Sequence, residues 1–571
     1  MKPLSIERSF FHWLAVIMVT LGCIAAKDQW GWLIEYPDAL IFPFSDWLNL
    51  IMDWMVKHFG WFFMGISWVL EWPIWAVQKI LNELPWAVTM FLFCLVAFVA
   101  SGWRLAAFTL GATLYMVVIG YWEESMNSLS LVAISVPLAI FVGFSVGVWG
   151  FYSDRAERAI MPALDLFQTV PAFAYLLPIL LLFGFGTVVG LIASVLYSFP
   201  PMVRNTIIGL RSVAPEVIES GLMSGATPGQ LFWQVRVPSC RKQLLLGVNQ
   251  ATMASLSMVI IASIIGGTSD IGWEVLSTIR KAQFGESLLV GMVIALMAMI
   301  IDRITSGLAL RSNLYDPSGK TILQRNRIWG VAIIGAALLF GLAQVFNVLV
   351  DWPRDNVWSP GKSMNEGLTY LIVNYRPQIE ALKTSAFFFV MLPLKIGLQS
   401  AVSPFTWGFA LTAMHKAVYA LAMAAIALWC GLRGKTIAGI VVMLFAVFLY
   451  FGLTSIPWPC VILIYAFIGW KIGGRALGLG TALGLGFMVI TGNWAEAMLS
   501  VYLCGIAAII SFVFGTTIGI WAAHNDKVSA FVRPINDTMQ TMPLFVILIP
   551  FVMVFKIGEF TGLLAIIAYA F

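Results

Sequence analysis

The sequence predicts an all-α polytopic membrane protein with about sixteen transmembrane helices. Three observations carry this. Hydrophobic residues make up 60% of the chain, charged residues 11%, and the mean hydropathy is +0.90, which excludes an ordinary soluble fold. The apolar runs are continuous rather than alternating, so they read as helices and not as barrel strands. Lys and Arg cluster in short connections, so the net charge of +5 is an orientation signal and no sign of nucleic acid.

The elements follow in order. Lys2 and Arg8 precede an apolar run ending near Ala26. A signal peptide is the competing reading, but no small-x-small cleavage site follows. Leu21–Gly22–Cys23 resembles a lipoprotein site, yet Thr20 stands where an aliphatic residue belongs. Residues 1–84 are therefore an uncleaved anchor helix and an extracytoplasmic amphipathic segment. Trp47, Trp54, Trp61, Trp68 and Trp75 recur every seven residues, which keeps them on one slowly drifting helix face. Such a stripe could attract a quaternary ammonium, but a cage needs rings converging from several directions. A helix lying in the headgroup layer fits better.

Residues 85–312 form a first membrane domain with a cytoplasmic loop at 204–242. Residues 313–327 are a cytoplasmic linker. Residues 328–456 hold extra membrane helices, about 411–430 and 436–453 among them, and a further amphipathic segment. Residues 457–571 are a second domain that ends before its own loop. With the N-terminus inside, the acids Glu35, Asp38, Asp46, Glu123 and Glu124 fall outside. Arg104, Arg155, Arg158, Arg211, Arg236, Arg241, Arg311, Lys320, Arg325, Arg327, Arg433, Lys435, Lys471, Arg475, Lys527 and Arg533 fall inside.

The second domain repeats the first at an offset of 372 residues. Pro85–Trp86 meets Pro457–Trp458, Trp122 meets Trp494, Asp165 meets Asp537, Pro171 meets Pro543, Pro178 meets Pro550 and Gly186 meets Gly558. Upstream, Pro73 pairs with Pro393 at an offset of 320, so the second copy carries two inserted helices. Two helices preserve direction, which makes this a parallel tandem repeat about an axis along the membrane normal. Phe571, the counterpart of Phe199, falls inside an apolar run. That suggests a fragment of a longer fused protein or a truncated gene product, with a half-copy serving as structural partner as the alternative.

The polar loop between long apolar runs reads as two short helices joined at a glycine. Pro215 suits a first helical position and Glu216 the first turn. Gly225 suits the left-handed closing residue. Thr227, Pro228 and Gln230 form a Thr-x-x-Gln capping box, and Pro238 marks the end of the second helix. Glu219–Ser220–Gly221, Gly225, Val235 and Val237–Pro238 keep the spacing of the Glu-Ala-Ala–Gly–Ile-x-Leu-Pro loop motif of ATP-binding-cassette (ABC) importer permeases. Ser and Gly stand at the two Ala positions, both small. The flanks at 165–178, Phe199–Pro200–Pro201 and 247–263 resemble the glycine betaine/proline betaine branch. The resemblance covers roughly residues 45–312 and part of the chain from about 365 onward.

The resemblance implies a permease subunit of an ATP-driven importer in a bacterial inner membrane, in contact with membrane lipid. The cargo would be glycine betaine, proline betaine, choline or a related methylated amine such as trimethylamine N-oxide. It implies two separate ATPase subunits that receive the Glu219–Gly225 helix, and an extracytoplasmic binding protein. No cofactor and no catalytic role are expected in this chain. Gly319–Lys320–Thr321, Gly361–Lys362–Ser363 and Gly434–Lys435–Thr436 imitate a nucleotide-binding loop. Leu314, Asn356 and Trp429 stand where each would need its first glycine.

The candidate path comprises Gln168, Thr169, Pro171 and Phe173, their counterparts Gln540, Thr541, Pro543 and Phe545, and Asn249 with Gln250. Discontinuous helices carrying Pro and amides at membrane depth suit a translocation path, although the same residues also serve plain helix packing. No lone Asp or Glu stands deep in an apolar run, and Asp302 has Arg303 beside it. This argues against the alternative, an ion-coupled secondary transporter or channel with parallel repeats. The six cysteines (Cys23, Cys94, Cys240, Cys430, Cys460, Cys504) form no Cys-x-x-Cys pair, and His12, His58, His415 and His524 lack ligand spacing, so no metal site is expected.

Overall fold

The computed structural model describes residues 4–27, 29–267, 269–311, 322–352, 357–434, 436–541 and 544–570. Among them the chain is helical throughout, with no strand. The first half holds α1 (Leu4–Ala26), α2 (Phe44–Glu83), α3 (Trp86–Ser101), α4 (Trp103–Ile119), α5 (Trp122–Tyr152), α6 (Asp154–Thr169), α7 (Ala172–Phe183) and α8 (Thr187–Arg211). Short α9 (Pro215–Met223), α10 (Pro228–Gln230) and α11 (Val237–Ser239) lead to α12 (Arg241–Gly266), α13 (Ile271–Arg280) and α14 (Phe284–Arg311). The second half holds α15 (Ile322–Val345), α16 (Gly361–Asn374), α17 (Arg376–Ala386), α18 (Leu392–Ile396), α19 (Leu398–Ala401), α20 (Pro404–Trp407), α21 (Ala413–Leu432) and α22 (Thr436–Phe451). It closes with α23 (Trp458–Ile490), α24 (Trp494–His524), α25 (Asp526–Thr541), α26 (Leu544–Phe555) and α27 (Glu559–Ala570).

The all-α membrane class is as expected, and the apolar helices differ in length. Among the described residues, seven helices are long and apolar enough to cross a bilayer; two sharply bent pairs add two more, and six shorter apolar helices remain. Gly and Pro cut the runs. Gly102 takes φ +84 and ψ −167 between α3 and α4, and Gly474 takes φ +80 and ψ −172 inside α23. Only glycine adopts that conformation readily. The two inserted helices form the hairpin α21–α22. The expected linker 313–327 lies outside the described residues up to 321, and 322–327 already belong to α15.

The repeat holds element by element at the 372 offset. Helices α5, α6, α7 and α8 match α24, α25, α26 and α27, and left-handed Gly120 (φ +85) matches Gly492 (φ +76). The Trp stripe sits on α2, a continuous helix of 40 residues with Trp61 and Trp68 both about three-quarters exposed. At 1.5 Å per residue α2 is about 60 Å long, twice the hydrocarbon core. It meets α3 at 106°.

The chain divides into two compact units that do not follow the sequence domains. One contains residues 1–50, 372–525 and 554–571; the other contains 51–371 and 526–553. In the first unit α1 packs on α23, with Trp13 edge-on to Phe467 at 4.7 Å and Val16 buried against Ile464. In the second unit α15 packs on α3, where Gly335 lets Phe91 approach. Each anchor helix thus serves the other copy. Helix α26 of the second copy is exchanged likewise: Val546, Ile549 and Met553 join one core with Val290, Val293 and Leu131. Periodicity locates helices but cannot say which copy a helix packs against, which is why the sequence boundaries miss this exchange.

Within the second unit, α5, α8 and α12 form the tightest bundle. Gly143, Gly147 and Gly150 of α5 face α8, and a Cβ on Gly147 would stand 2.6 Å from Thr206 Cβ. Such small residues let backbones approach where no hydrophobic drive exists between helices in lipid. Buried hydroxyls add a polar tie: Ser255 Oγ lies 2.6 Å from Ser135 Oγ and 2.7 Å from Ser194 Oγ.

Candidate coupling site

The loop after α8 folds into the anticipated helix–glycine–helix. Pro215 opens α9, where its missing N–H costs nothing. The helix closes in a Schellman turn: Gly225 has φ +78 and donates to Leu222 O at 3.0 Å, and Ala226 donates to Gly221 O at 3.2 Å. Thr227 then caps the second helix. Its Oγ1 accepts from Gln230 N at 3.4 Å, and Gln230 Oε1 accepts from Thr227 N at 2.9 Å.

Pro238 does not stop that helix as expected. The chain widens into a π-helical turn over Leu231–Arg236 and continues helically through Pro238 to Ser239. The proline ring would collide with the carbonyl four residues back, and a wider turn removes the collision. The same device recurs in the first unit, where a π turn at Phe387–Met391 precedes Pro393.

Gly221 is small for an internal reason. A Cβ there would stand 2.9 Å from Leu231 Cδ1 and 3.2 Å from Val235 Cγ2, so the loop's own second helix occupies the close approach. Around Gly225 there is open space within the chain. Glu219 and Ser220 are exposed, and Glu216 with Ser220, Gly225 and Gln234 lines an open cleft of about 770 Å³. Met223, at the tip, is 90% exposed, and Leu222 and Trp233 are exposed too.

The loop is joined firmly to the membrane helices. Phe232 is buried in one core with Leu210, Val213, Cys240 and Leu244, and Phe144 and Phe151 of α5 pack against it. Val237 joins the same cluster, and Arg236 lies over the Phe151 ring at 5.1 Å. Arg211 Nη1 donates to Glu157 Oε1 at 2.8 Å, and Arg204 pairs with Asp165, tying α8 to α6. A displacement of α9 therefore reaches α5, α6, α8 and α12 through packed side chains and ion pairs.

The path residues are not gathered in one place. Gln168 and Thr169 are exposed at the end of α6, with Thr169 Oγ1 donating to Asp165 O at 2.9 Å. Pro171 precedes α7 at a 96° bend, and Phe173 is partly exposed beyond it. Asn249 accepts from Thr305 on α14 at 2.6 Å, while Gln250 accepts from Asn205 on α8 at 2.8 Å. These two amides clamp neighbouring helices rather than meeting Gln168. In the second copy Gln540 and Thr541 end α25 and Phe545 lies in α26; their side chains and Pro543 lie outside the described residues.

The sequence reading missed three features. The Gly143-x-x-x-Gly147 contact was legible as a small-x-x-x-small signal. The buried acid Asp270 was not, because it follows an apolar run rather than interrupting it. Asp270 is 1% exposed between α12 and α13; burial pushes its carboxyl up to about 6, against a hydrogen bond from Ser263 Oγ at 3.3 Å that lowers it. The third is a cavity at the start of α5, where Glu123 and Glu124 had served only as orientation marks. Beside it, burial and the nearby Glu286, Glu274 and Glu124 hold the Tyr121 phenol up at about 12. Asp302 accepts from Ser306 Oγ at 3.5 Å. Among the described residues no three His, Cys, Asp or Glu side chains converge as for a metal.

Comparison with known proteins agrees with this architecture. The family described as binding-protein-dependent transport system inner membrane component matches residues 135–314 and 515–571, one segment in each copy. The trimethylamine N-oxide transport system permease protein TmoV of Ruegeria pomeroyi is 27% identical over 576 residues, covering 98% of this chain and 78% of that protein. Its namesake from Pelagibacter ubique is 28% identical over 501 residues, 86% of this chain and 62% of that protein. The glycine betaine transport system permease protein OpuAB of Bacillus subtilis is 35% identical over 269 residues, 47% of this chain and 95% of that protein. A helical chain with an exposed helix–glycine–helix, matched over nearly the whole of a single-copy permease, belongs to the family of inner membrane components of binding-protein-dependent transport systems and is a multi-pass permease subunit.

Proposed function

We propose that this chain is the permease subunit of an ATP-driven importer for a small methylated amine, with trimethylamine N-oxide and glycine betaine as the leading cargoes. The observation that carries the reading is the α9–Gly225–α10 socket, exposed at its tip and packed at its base on α5, α8 and α12. The cargo class rests on the relatives' transport of these compounds. The N-terminus lies in the cytoplasm of a bacterial inner membrane, and two ATPase subunits drive the cycle.

The mechanism is mechanical. Closure of the ATPases on ATP moves the grooves that hold α9. The socket transmits that motion through Phe232 and the Arg211–Glu157 pair to the membrane helices, which alternate between outward-open and inward-open states. Glu219 supplies a charged contact, and Gly225 the turn. A binding protein delivers cargo from the other face.

The test is uptake in proteoliposomes. Chain, ATPase and binding protein are reconstituted together with labelled trimethylamine N-oxide or glycine betaine outside. Uptake that requires ATP and the binding protein supports the reading. Uptake by the isolated chain along an ion gradient contradicts it.

A further inference from the structure

The anchor helix α1 and the second-copy helix α23 bring two cysteines together. Cys23 and Cys460 stand more than four hundred residues apart in sequence. In the fold Cys23 packs on the core of Ile456, Cys460 and Val461, and its side chain is in hydrogen-bonding contact with the Cys460 thiol. The Cys460 thiol also donates to the Thr20 carbonyl at 4.0 Å. That carbonyl points along α1 toward the turn that carries Cys23, so both contacts describe one approach. Both sulfurs are free thiols in this structure; Cys460 is 1% exposed and Cys23 is half-buried. Deeper along the same seam the contacts are apolar, Trp13 on Phe467 and Val16 on Ile464.

Depth decides the chemistry open to the pair. Trp458 Nε1 donates to Trp32 O at 3.0 Å, and Tyr36 stands edge-on to the Trp458 ring at 5.8 Å. Lys27 lies over the Phe451 ring at 6.0 Å. Such an aromatic collar with a lysine marks a membrane–water boundary. Cys23 lies one turn before Lys27 and Cys460 two residues after Trp458, so the pair sits just below that boundary. On the importer reading α1 enters from the cytoplasm, which makes this the extracytoplasmic edge. Disulfides form and persist there, whereas cytosolic thiols stay reduced.

We propose that Cys23 and Cys460 are a disulfide-forming pair that fastens the N-terminal anchor to the second copy on the extracytoplasmic side. The proposal rests on the importer reading for its orientation alone. The oxidant is a protein disulfide of the extracytoplasmic compartment. The half-buried Cys23, as thiolate, attacks one sulfur of that disulfide and releases the other as a thiolate. The Cys460 thiolate then displaces the second sulfur. One S–S bond forms between Cys23 and Cys460. The oxidant takes up the two electrons, and the two protons given up by the cysteines pass to its two thiols. The helices are already in contact, so the bond needs side-chain rotation and no new packing.

The experiment expresses the full chain in bacteria with an oxidising periplasm and blocks free thiols with N-ethylmaleimide during denaturing lysis. The chain is then reduced, and the thiols released are labelled with a maleimide-linked polymer. Two of the six cysteines take the polymer, and peptide mass spectrometry finds residues 23 and 460 linked before reduction. Cys23→Ser or Cys460→Ser abolishes both additions. Reduction lowers the unfolding midpoint of the wild type by several degrees and leaves that of Cys23→Ser unmoved. Cys23→Ser, at the half-buried position, keeps this comparison valid if Cys460→Ser unfolds. Six thiols blocked before reduction overturn the proposal. So does a link between two other cysteines with 23 and 460 free. A Met223→Cys reporter, at the 90% exposed tip of the coupling loop, separates the two readings. If a membrane-impermeant maleimide reaches it only in inverted vesicles, a missing bridge removes this inference alone. If the reagent reaches it from outside intact cells, the orientation fails and the importer reading falls with it.

Discussion

The two copies of the repeat share their backbone breaks and differ in what fills their grooves. Gly102 and Gly474 turn the chain with nearly the same angles. Helices α7 and α26, at matching places in the two copies, differ in burial. Leu177 is exposed on α7, whereas its counterpart Ile549 is buried with the α14 residues Val290 and Val293. A third pair differs in residue type: Gly184 has φ +80, and Lys556 occupies the matching position at φ +62. The difference teaches that the repeat dictates where helices break, while neighbours dictate which faces are dry.

The largest expected effect tests the filled α5–α8 groove of the first copy. Gly147→Ala forces a methyl into Thr206 and the Val203 carbonyl, and should cost about 1–3 kcal/mol. Thermal unfolding of the variant in detergent checks this; an unchanged midpoint would contradict it.

A second test uses a buried acid of the first copy. The Asp270 carboxyl is raised from 3.8 to about 6, so the folded chain binds its proton more tightly than the unfolded chain does. Its contribution is full below about pH 4 and is lost as pH rises through about 6, a total of about 2–3 kcal/mol for one buried acid. Asp270→Asn should flatten that slope and leave stability at pH 7 higher than in the wild type. Midpoints measured between pH 4 and 7 give the answer, and an unchanged slope contradicts it.

Much of this was legible in the sequence, and the reasons are local. Pro215, Gly225 and the Thr227–Gln230 box place the loop geometry because each acts within four residues of itself. The repeat was legible because Pro, Gly and Trp are costly to misplace. The Trp stripe was legible because heptad spacing fixes one helix face. What the sequence withheld is non-local. Nothing in α1 or α15 says that each anchor packs on the other copy. Nothing in Asn249 or Gln250 says that each bonds a different helix. The cavity acids were invisible for the same reason, since Glu123, Glu286 and Asp351 come from three separated segments. Where glycine and proline bend or shorten an apolar run was not legible either, because hydropathy reads the run as continuous.

The central claim is that an ATPase grips the loop around residue 225 and moves the membrane helices through it. Gly225→Asp tests it most directly, since the side chain strains a φ of +78 and enters the open cleft without touching the chain's own core. Wild type and variant should reach the membrane in equal amounts. ATP-driven uptake and co-purification of the ATPase should both fall to background in the variant alone. Normal uptake with the ATPase still bound would contradict the account.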